Sequence, residues 1–162
     1  MGEQADRARR VAAVEFETMV LGRHMVHNAR RRTGALETSA YLLLTRLQAQ
    51  GPMSLPQLSE AFGLDVSTLN RQTAALLRAG LAERIADPDG GLARKFRLTE
   101  AGERRLEEER EGNRAGLGRV LADWEAGEID LLADVLRRYN TAIEARGGRP
   151  WPRPAAEPGH QG

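Results

Sequence analysis

Residues 53–102, MSLPQLSEAFGLDVSTLNRQTAALLRAGLAERIADPDGGLARKFRLTEAG, set helix start and stop signals so close together that few chain paths satisfy them. Ser54 opens a short helix. Its hydroxyl accepts from the free N–H groups of the first turn, and Gln57, three residues on, reaches back in the spacing of a capping box. Leu55, Leu58 and Phe62 form the apolar stripe of that helix, and Gly63 ends it. Asp65 is the next N-cap, with Leu64 before it and Leu69 after it placed as a hydrophobic staple. The second helix runs through Leu76 and Leu77 to Gly80, the residue type that most easily takes the left-handed conformation closing a helix. Two extended stretches, 81–86 and 94–98, flank the turn-forming cluster Asp87-Pro88-Asp89-Gly90-Gly91 and read as a hairpin with a mobile tip.

Periodicity then divides the second helix into two faces. Leu69, Thr73, Leu76 and Leu77 point inward, which leaves Val66, Ser67, Thr68, Asn70, Arg71 and Gln72 on the outer side of its first two turns. No acid occurs from Val66 to Ala79. Ser, Thr, Asn, Gln and Arg are the side chains that donate to phosphates or read base edges, and helix-turn-helix proteins use the first turns of their second helix for this. Arg94, Lys95 and Arg97 follow on the return strand without an intervening acid, and Arg84 lies on the outgoing strand, so the hairpin offers charge to a phosphate backbone. Asp87 and Asp89 oppose it at the corner. With Ser54 and Gln57 at the entrance to the first helix, these residues form the expected DNA-contacting set.

The runs L-S-E-A-F-G-L-D-V-S-T-L-N-R, L-L-R-A-G-L-A-E-R, D-P-D-G-G and F-R-L-T-E-A-G, in this order and spacing, resemble the MarR family of bacterial transcription regulators over roughly residues 11–145. The resemblance implies a mostly α fold with a small β-hairpin wing. Residues 53–102 would form a winged helix-turn-helix lobe, and residues 11–50 and 103–146 the helices of a dimerisation region, between a flexible stretch 1–10 and a tail 147–162. It also implies a homodimer on double-stranded DNA, acting as a ligand-responsive repressor at an inverted-repeat operator. At the wing tip, where many members carry an Asp-Arg-Arg run whose arginine enters the minor groove, this chain has Gly90-Gly91-Leu92. Arg94 is the candidate substitute.

The flanking segments carry apolar stripes suited to helix pairing. Val11, Val14, Thr18, Leu21 and Met25 align over residues 11–29, widened by Phe16, Met19, Val20 and Val26. Tyr41, Leu43, Leu44 and Leu47 lie on a helix over 39–49. Thr99 caps a long helix that opens with Glu100, is almost wholly charged over 103–111, and turns apolar at Leu117, Val120, Leu121 and Trp124. Gly112, Gly116 and Gly118 weaken that helix, which predicts a bend or a close helix crossing there. In the last helix, about 128–145, Ile129, Leu132, Leu136, Tyr139 and Ile143 alternate at spacings of three and four. With Val14 and Leu21 they are the expected dimerisation residues. The tail is rich in proline and glycine and reads as extended, with Trp151 as its anchor. An effector, small and aromatic or amphipathic, is expected where the terminal helices meet the lobe, with His27, Tyr41 and Trp124 as candidates because each sets a polar tip on an apolar helix.

Composition excludes other classes. The 162 residues hold no cysteine, so neither a disulfide nor a thiolate metal site or thiol switch can form. No apolar run is long enough for a membrane span or a signal peptide, so a cytoplasmic protein is expected. His24-x-x-His27 supplies only two metal-ligand candidates, and G-x-S-x-G, P-loop and H-E-x-x-H patterns are absent, so no metal, cofactor or catalysis is expected. The net charge of +1 conceals its distribution: over 53–102 acids sit at caps and turns while bases sit on the expected docking surfaces. Arg30-Arg31-Arg32 suits either flanking phosphates or the negative end of its own helix. The competing readings are a winged-helix module that binds protein rather than DNA, and a metal-responsive sensor.

Overall fold

The computed structural model describes residues 2–31 and 34–153, apart from the side chains of residues 26–31. The chain divides into two compact units, one up to Thr38 and one from Ser39 onward.

The first unit is dominated by α1 (Gly2–Arg31). The flexible stretch expected over residues 1–10 is thus helical from Gly2. That turn of sequence lacks apolar periodicity but is built from strong helix formers, and Asp6 pairs with Arg10 one turn later at 2.8 Å. Along α1, Val11, Val14, Phe16, Met19, Leu21 and Met25 are all exposed.

The second unit contains α2 (Thr38–Gln50), β1 (Met53–Ser54), α3 (Leu55–Phe62), α4 (Val66–Arg78), β2 (Ala82–Ile85), β3 (Lys95–Leu98), α5 (Glu100–Val120) and α6 (Ala126–Gly147). The expected hairpin is β2–β3, in the register Ala82 opposite Leu98 and Ile85 opposite Lys95. A third strand, β1, was not expected from the sequence, since two residues carry no alternation to detect. It pairs antiparallel with β3, Met53 opposite Phe96, and makes β3 the centre of the sheet. Phe96 is 2% exposed and packs in a core with Leu43, Leu44, Leu47, Leu58, Leu69, Leu76 and Leu106, which joins α2, α3, α4 and the start of α5 to the sheet.

The glycines at which a bend or close crossing is expected, Gly112, Gly116 and Gly118, do not interrupt α5. The helix is continuous from Glu100 to Val120. Gly118 has open space where a side chain would stand, and near Gly116 only the flexible end of Arg119 approaches. A close approach occurs at Gly102, whose missing Cβ would lie 2.0 Å from the Leu81 carbonyl oxygen. α6 buries none of its residues, and Leu131, Val135, Leu136, Tyr139 and Ile143 are exposed along it. No helix among the described residues is long and apolar enough to cross a membrane.

Candidate nucleic-acid interface

The two helices of the lobe are set by their caps. At α3 the capping box closes: the Ser54 amide donates to Gln57 Oε1 at 2.9 Å and the Gln57 amide donates to Ser54 Oγ at 3.4 Å. Ser54 is buried by this arrangement. The structure therefore corrects its placement among the DNA contacts, because its hydroxyl and amide serve the helix end, and Gln57, though exposed, spends its side-chain oxygen there too. Gly63, at φ +64°, turns the chain, and Ser59 Oγ donates to the Leu64 carbonyl at 2.6 Å.

Asp65 then caps α4. Its carboxylate accepts from the Thr68 amide at 2.8 Å, from Thr68 Oγ1 at 3.0 Å and from the Ser67 hydroxyl. The Ser67 hydroxyl bond, followed by those from Thr68, holds the Asp65 carboxyl down to about 2. Thr68 in turn accepts from Arg71 Nη2 at 3.2 Å, so cap and arginine form one chain of bonds on the outer face. Leu69, Thr73 and Leu76 are buried beneath it. Val66, Ser67, Asn70 and Arg71 are exposed and Thr68 and Gln72 half-buried, which is the division of faces expected from periodicity.

The far end of α4 is closed by Gly80 at φ +68°. Gly80 N donates to Leu77 O at 3.1 Å and Leu81 N to Leu76 O at 3.0 Å, the bond pair of a Schellman motif. The same corner is clasped by α5: Thr99 Oγ1 donates to Gly80 O at 2.6 Å, and Thr99 N to Leu81 O at 3.2 Å. Thr99 was expected only as a helix cap, a role it also fills by accepting from Gly102 N at 3.0 Å. Its outward grip on Gly80 has no signature in the sequence.

The wing departs from expectation at Lys95. That side chain is buried, and its Nζ lies 2.6 Å from Asp87 Oδ1 and 2.9 Å from Asp89 Oδ2. Hydrogen bonding to Lys95 holds the Asp87 carboxyl below its usual range, and Asp87 raises Lys95 in return. Lys95 is therefore the neutralising post beneath the wing tip, not a free phosphate contact, and the two aspartates are the groups it neutralises. Arg97 is exposed but pairs across the hairpin with Glu83 at 2.6 Å. The Arg84 guanidinium lies 5.4 Å from the Phe96 ring centroid, a cation–π distance. Arg94 is exposed and makes no ion pair among the described residues. At the tip Leu92 is fully exposed.

The effector candidates lie on different elements. Tyr41 is half-buried on α2, Trp124 is exposed after α5, and the His27 side chain lies outside the described residues. A cavity of about 450 Å³ is lined by Arg46, Gln50, Gln57, Lys95, Arg149 and Pro150 among others, and neither Tyr41 nor Trp124 reaches it. Among the described residues no group of three or more His, Cys, Asp or Glu side chains is placed to hold a metal ion.

The MarR family profile matches residues 36–90. Over 135 residues the chain is 35% identical to the HTH-type transcriptional regulator YxaD of Bacillus subtilis (strain 168), spanning 82% of this chain and 94% of that protein. The chain belongs to the MarR family. It is accordingly a DNA-binding transcription regulator, of a family whose members are not enzymes. Among solved structures, a MarR family protein from Bacillus stearothermophilus superposes with a TM-score of 0.73 at 25% identity, covering 83% of this chain and 96% of that one. The PcaV transcriptional regulator of Streptomyces coelicolor, in complex with its natural ligand, superposes at 0.59 with 25% identity, covering 80% and 92%. In this MarR-family chain the profile match spans α2, α3 and α4 and ends at the wing tip, so the family signal coincides with the capped helix pair described above.

Proposed function

We propose that this regulator acts as a homodimer that places two copies of α4 in successive major grooves of an inverted-repeat operator, roughly 34 Å apart, and represses transcription until a small effector releases it. The observation that carries the proposal is the outer face of α4: Ser67, Asn70 and Arg71 exposed, Thr68 and Gln72 beside them, and no acid along the helix. Val66 adds an exposed apolar contact suited to a thymine methyl. Arg94, exposed beside the wing tip, is the phosphate or minor-groove contact, with Arg84 and Arg97 on the strand faces as its neighbours. In this reading the protein works in the cytoplasm, where its DNA is found.

Dimerisation is supported by the apolar side chains left uncovered on the long helices. Leu136, Tyr139 and Ile143 on α6 and Val14 and Leu21 on α1 are exposed, with Ile129 and Leu132 half-covered. Apolar stripes of this extent call for a partner, and a twofold pairing covers the same surface on both copies. Ligand response is supported by PcaV, solved with its natural ligand. His27, Tyr41 and Trp124 are the proposed effector contacts, and the effector acts only through its different affinity for the operator-matched and mismatched dimers.

The decisive experiment is a footprint of the purified protein on the DNA upstream of its own gene, paired with sedimentation to count subunits. Protection of two half-sites one helical turn apart by a dimer is the expected result. A monomer in solution, or no protection at any concentration, would refute the reading and favour a module that binds protein instead.

A further inference from the structure

The segment after α6 is a strap rather than a loose tail. Gly148, at φ +64°, ends the helix, and Arg149 N donates back to Glu144 O at 3.3 Å. Arg149 and Trp151 each precede a proline, which confines both to extended backbone and stiffens the run. Its direction carries it from the last turn of α6 onto the lobe. There the Trp151 ring meets the Phe62 ring of α3 edge-on at 5.6 Å, with the Arg46 guanidinium of α2 over its face at 5.1 Å. Arg46 also donates to the Pro150 carbonyl at 3.2 Å. Glu144 closes the loop from the other side, accepting from Trp151 N at 3.2 Å and from both terminal nitrogens of Arg153, at 2.9 and 2.5 Å.

The attachment reaches the recognition helix by a short path. The Arg149 guanidinium lies so close over Gly63 that a Cβ there would stand 2.6 Å from its Cζ, and Gly63 is the turn from α3 into α4. Arg46 is buried with no ion pair among the described residues, and burial pulls its pKa down. Its compensation comes from the negative charge of Glu144 on α6, from Gln50, from the Pro150 carbonyl and from the Trp151 ring, so two of the four partners of a buried charge belong to the strap and a third to the helix that leads into it. α6 itself buries no residue, so the strap is where the end of that helix engages the lobe.

We infer that residues 148–153 fix the angle between α6 and the winged lobe, and that Trp151 and Glu144 are positioning residues for operator binding. The inference rests on the dimeric reading above, in which α6 pairs with a second copy; the angle of the lobe on α6 then sets the separation of the two α4 helices. Neither residue touches DNA in this account. Their effect is on how strictly the dimer demands one half-site spacing.

The test compares full-length wild-type, Trp151→Ala, Trp151→Phe and Glu144→Gln proteins on the footprinted operator and on versions with the spacing lengthened or shortened by one base pair. Wild-type protein is expected to prefer the natural spacing. Trp151→Ala should lose roughly tenfold on the natural operator and less on the altered ones, so that discrimination shrinks, while sedimentation still reports a dimer. Trp151→Phe, which keeps an aromatic ring against Phe62, should retain the preference. Glu144→Gln, nearly unchanged in volume, should shift in the direction of Trp151→Ala. In a Trp124→Phe background it should also move the Trp151 emission to the red. Equal loss on every spacing would mark a general stability effect and overturn the inference, as would unchanged discrimination in both Trp151→Ala and Glu144→Gln. Absence of any wild-type footprint overturns the regulatory reading itself, a result distinguishable from strap failure, which appears only with the footprint present.

Discussion

Gly102→Ala should destabilise the protein, although alanine is the better helix former. The added Cβ would stand 2.0 Å from the Leu81 carbonyl oxygen and 3.0 Å from its carbon, where ordinary contact begins near 3.4 Å, so α5 must retreat by more than an ångström. That retreat strains two bonds at once, Thr99 N to Leu81 O at 3.2 Å and Thr99 Oγ1 to Gly80 O at 2.6 Å. Each is worth about 1 kcal/mol, and overpacking adds about 1–3 kcal/mol, against a helix-propensity gain of at most about 1 kcal/mol. The net is a loss of about 2 kcal/mol, or a melting temperature lower by about 4–8 °C for a domain of this size. Gly118→Ala is the matched control. Open space surrounds that position in the same helix, so the propensity gain stands alone and the variant should be up to about 1 kcal/mol more stable. Urea unfolding at one fixed protein concentration reads both. A Gly102→Ala midpoint at or above that of wild type would refute the claim that α5 and the Gly80 corner are in close backbone contact.

Arg71→Ala should lower operator affinity by roughly 5- to 150-fold, the range for one base-reading contact, while sedimentation still reports a dimer; unchanged gel-shift affinity would remove α4 from the interface. Arg94→Ala should reduce the slope of log affinity against log salt by about 1, the mark of one phosphate contact. Lys95→Met should act differently, loosening the wing by leaving Asp87 and Asp89 without their cation, and proteolysis at residues 87–92 should speed up in that variant and not in Arg94→Ala. The Asp65 cap gives a pH dependence with a definite sign. Because folding lowers this carboxyl from 3.8 to about 2, its contribution is complete above pH 3.8 and disappears as pH falls toward about 2. Urea midpoints of wild type and Asp65→Asn should therefore differ by a constant amount near neutrality and converge over that acid window. Parallel curves down to the lowest pH would exclude Asp65 as the titrating cap.

Local chemistry explains which parts of this fold the sequence announces. Ser54, Gln57, Gly63, Asp65 and Gly80 each solve a problem confined to a few consecutive residues, an unpaired amide or a reversed backbone, and each stands in the structure where that problem arises. The faces of α4 follow from the same locality, since one period fixes which side chains share a side. Lys95 defeats this reasoning because its partners, Asp87 and Asp89, meet it only once the hairpin has closed. Charge alone marked it as a DNA contact; burial decides otherwise. β1 is silent for a related reason: Met53 and Ser54 become a strand only by pairing with Phe96 and Lys95, far along the chain. Gly102, Gly116 and Gly118 look alike in sequence, and only the approach of Leu81 to the first separates them.

These non-local contacts share a direction. At the start of α4, Gly63 lies under Arg149, which follows α6; at its end, Gly80 is held by Thr99, which begins α5. α4 is thus gripped at both ends by residues that flank α5 and α6, and it packs between those grips against α3 and β2. Interfaces of this kind move as units rather than deform gradually. In a dimer built through α1 and α6, an effector that rotates α6 against the lobe therefore has two routes to α4, one through the strap and one through the Thr99 corner. The routes differ in strength: the corner is backbone-close and resists displacement, whereas the strap holds by one indole, one carboxylate and one buried guanidinium. Regulation should then travel mainly through the strap, with the corner as the pivot. Gly102→Ala, by loosening the pivot, should lower affinity on every operator spacing alike, in contrast to the spacing-dependent loss expected of Trp151→Ala.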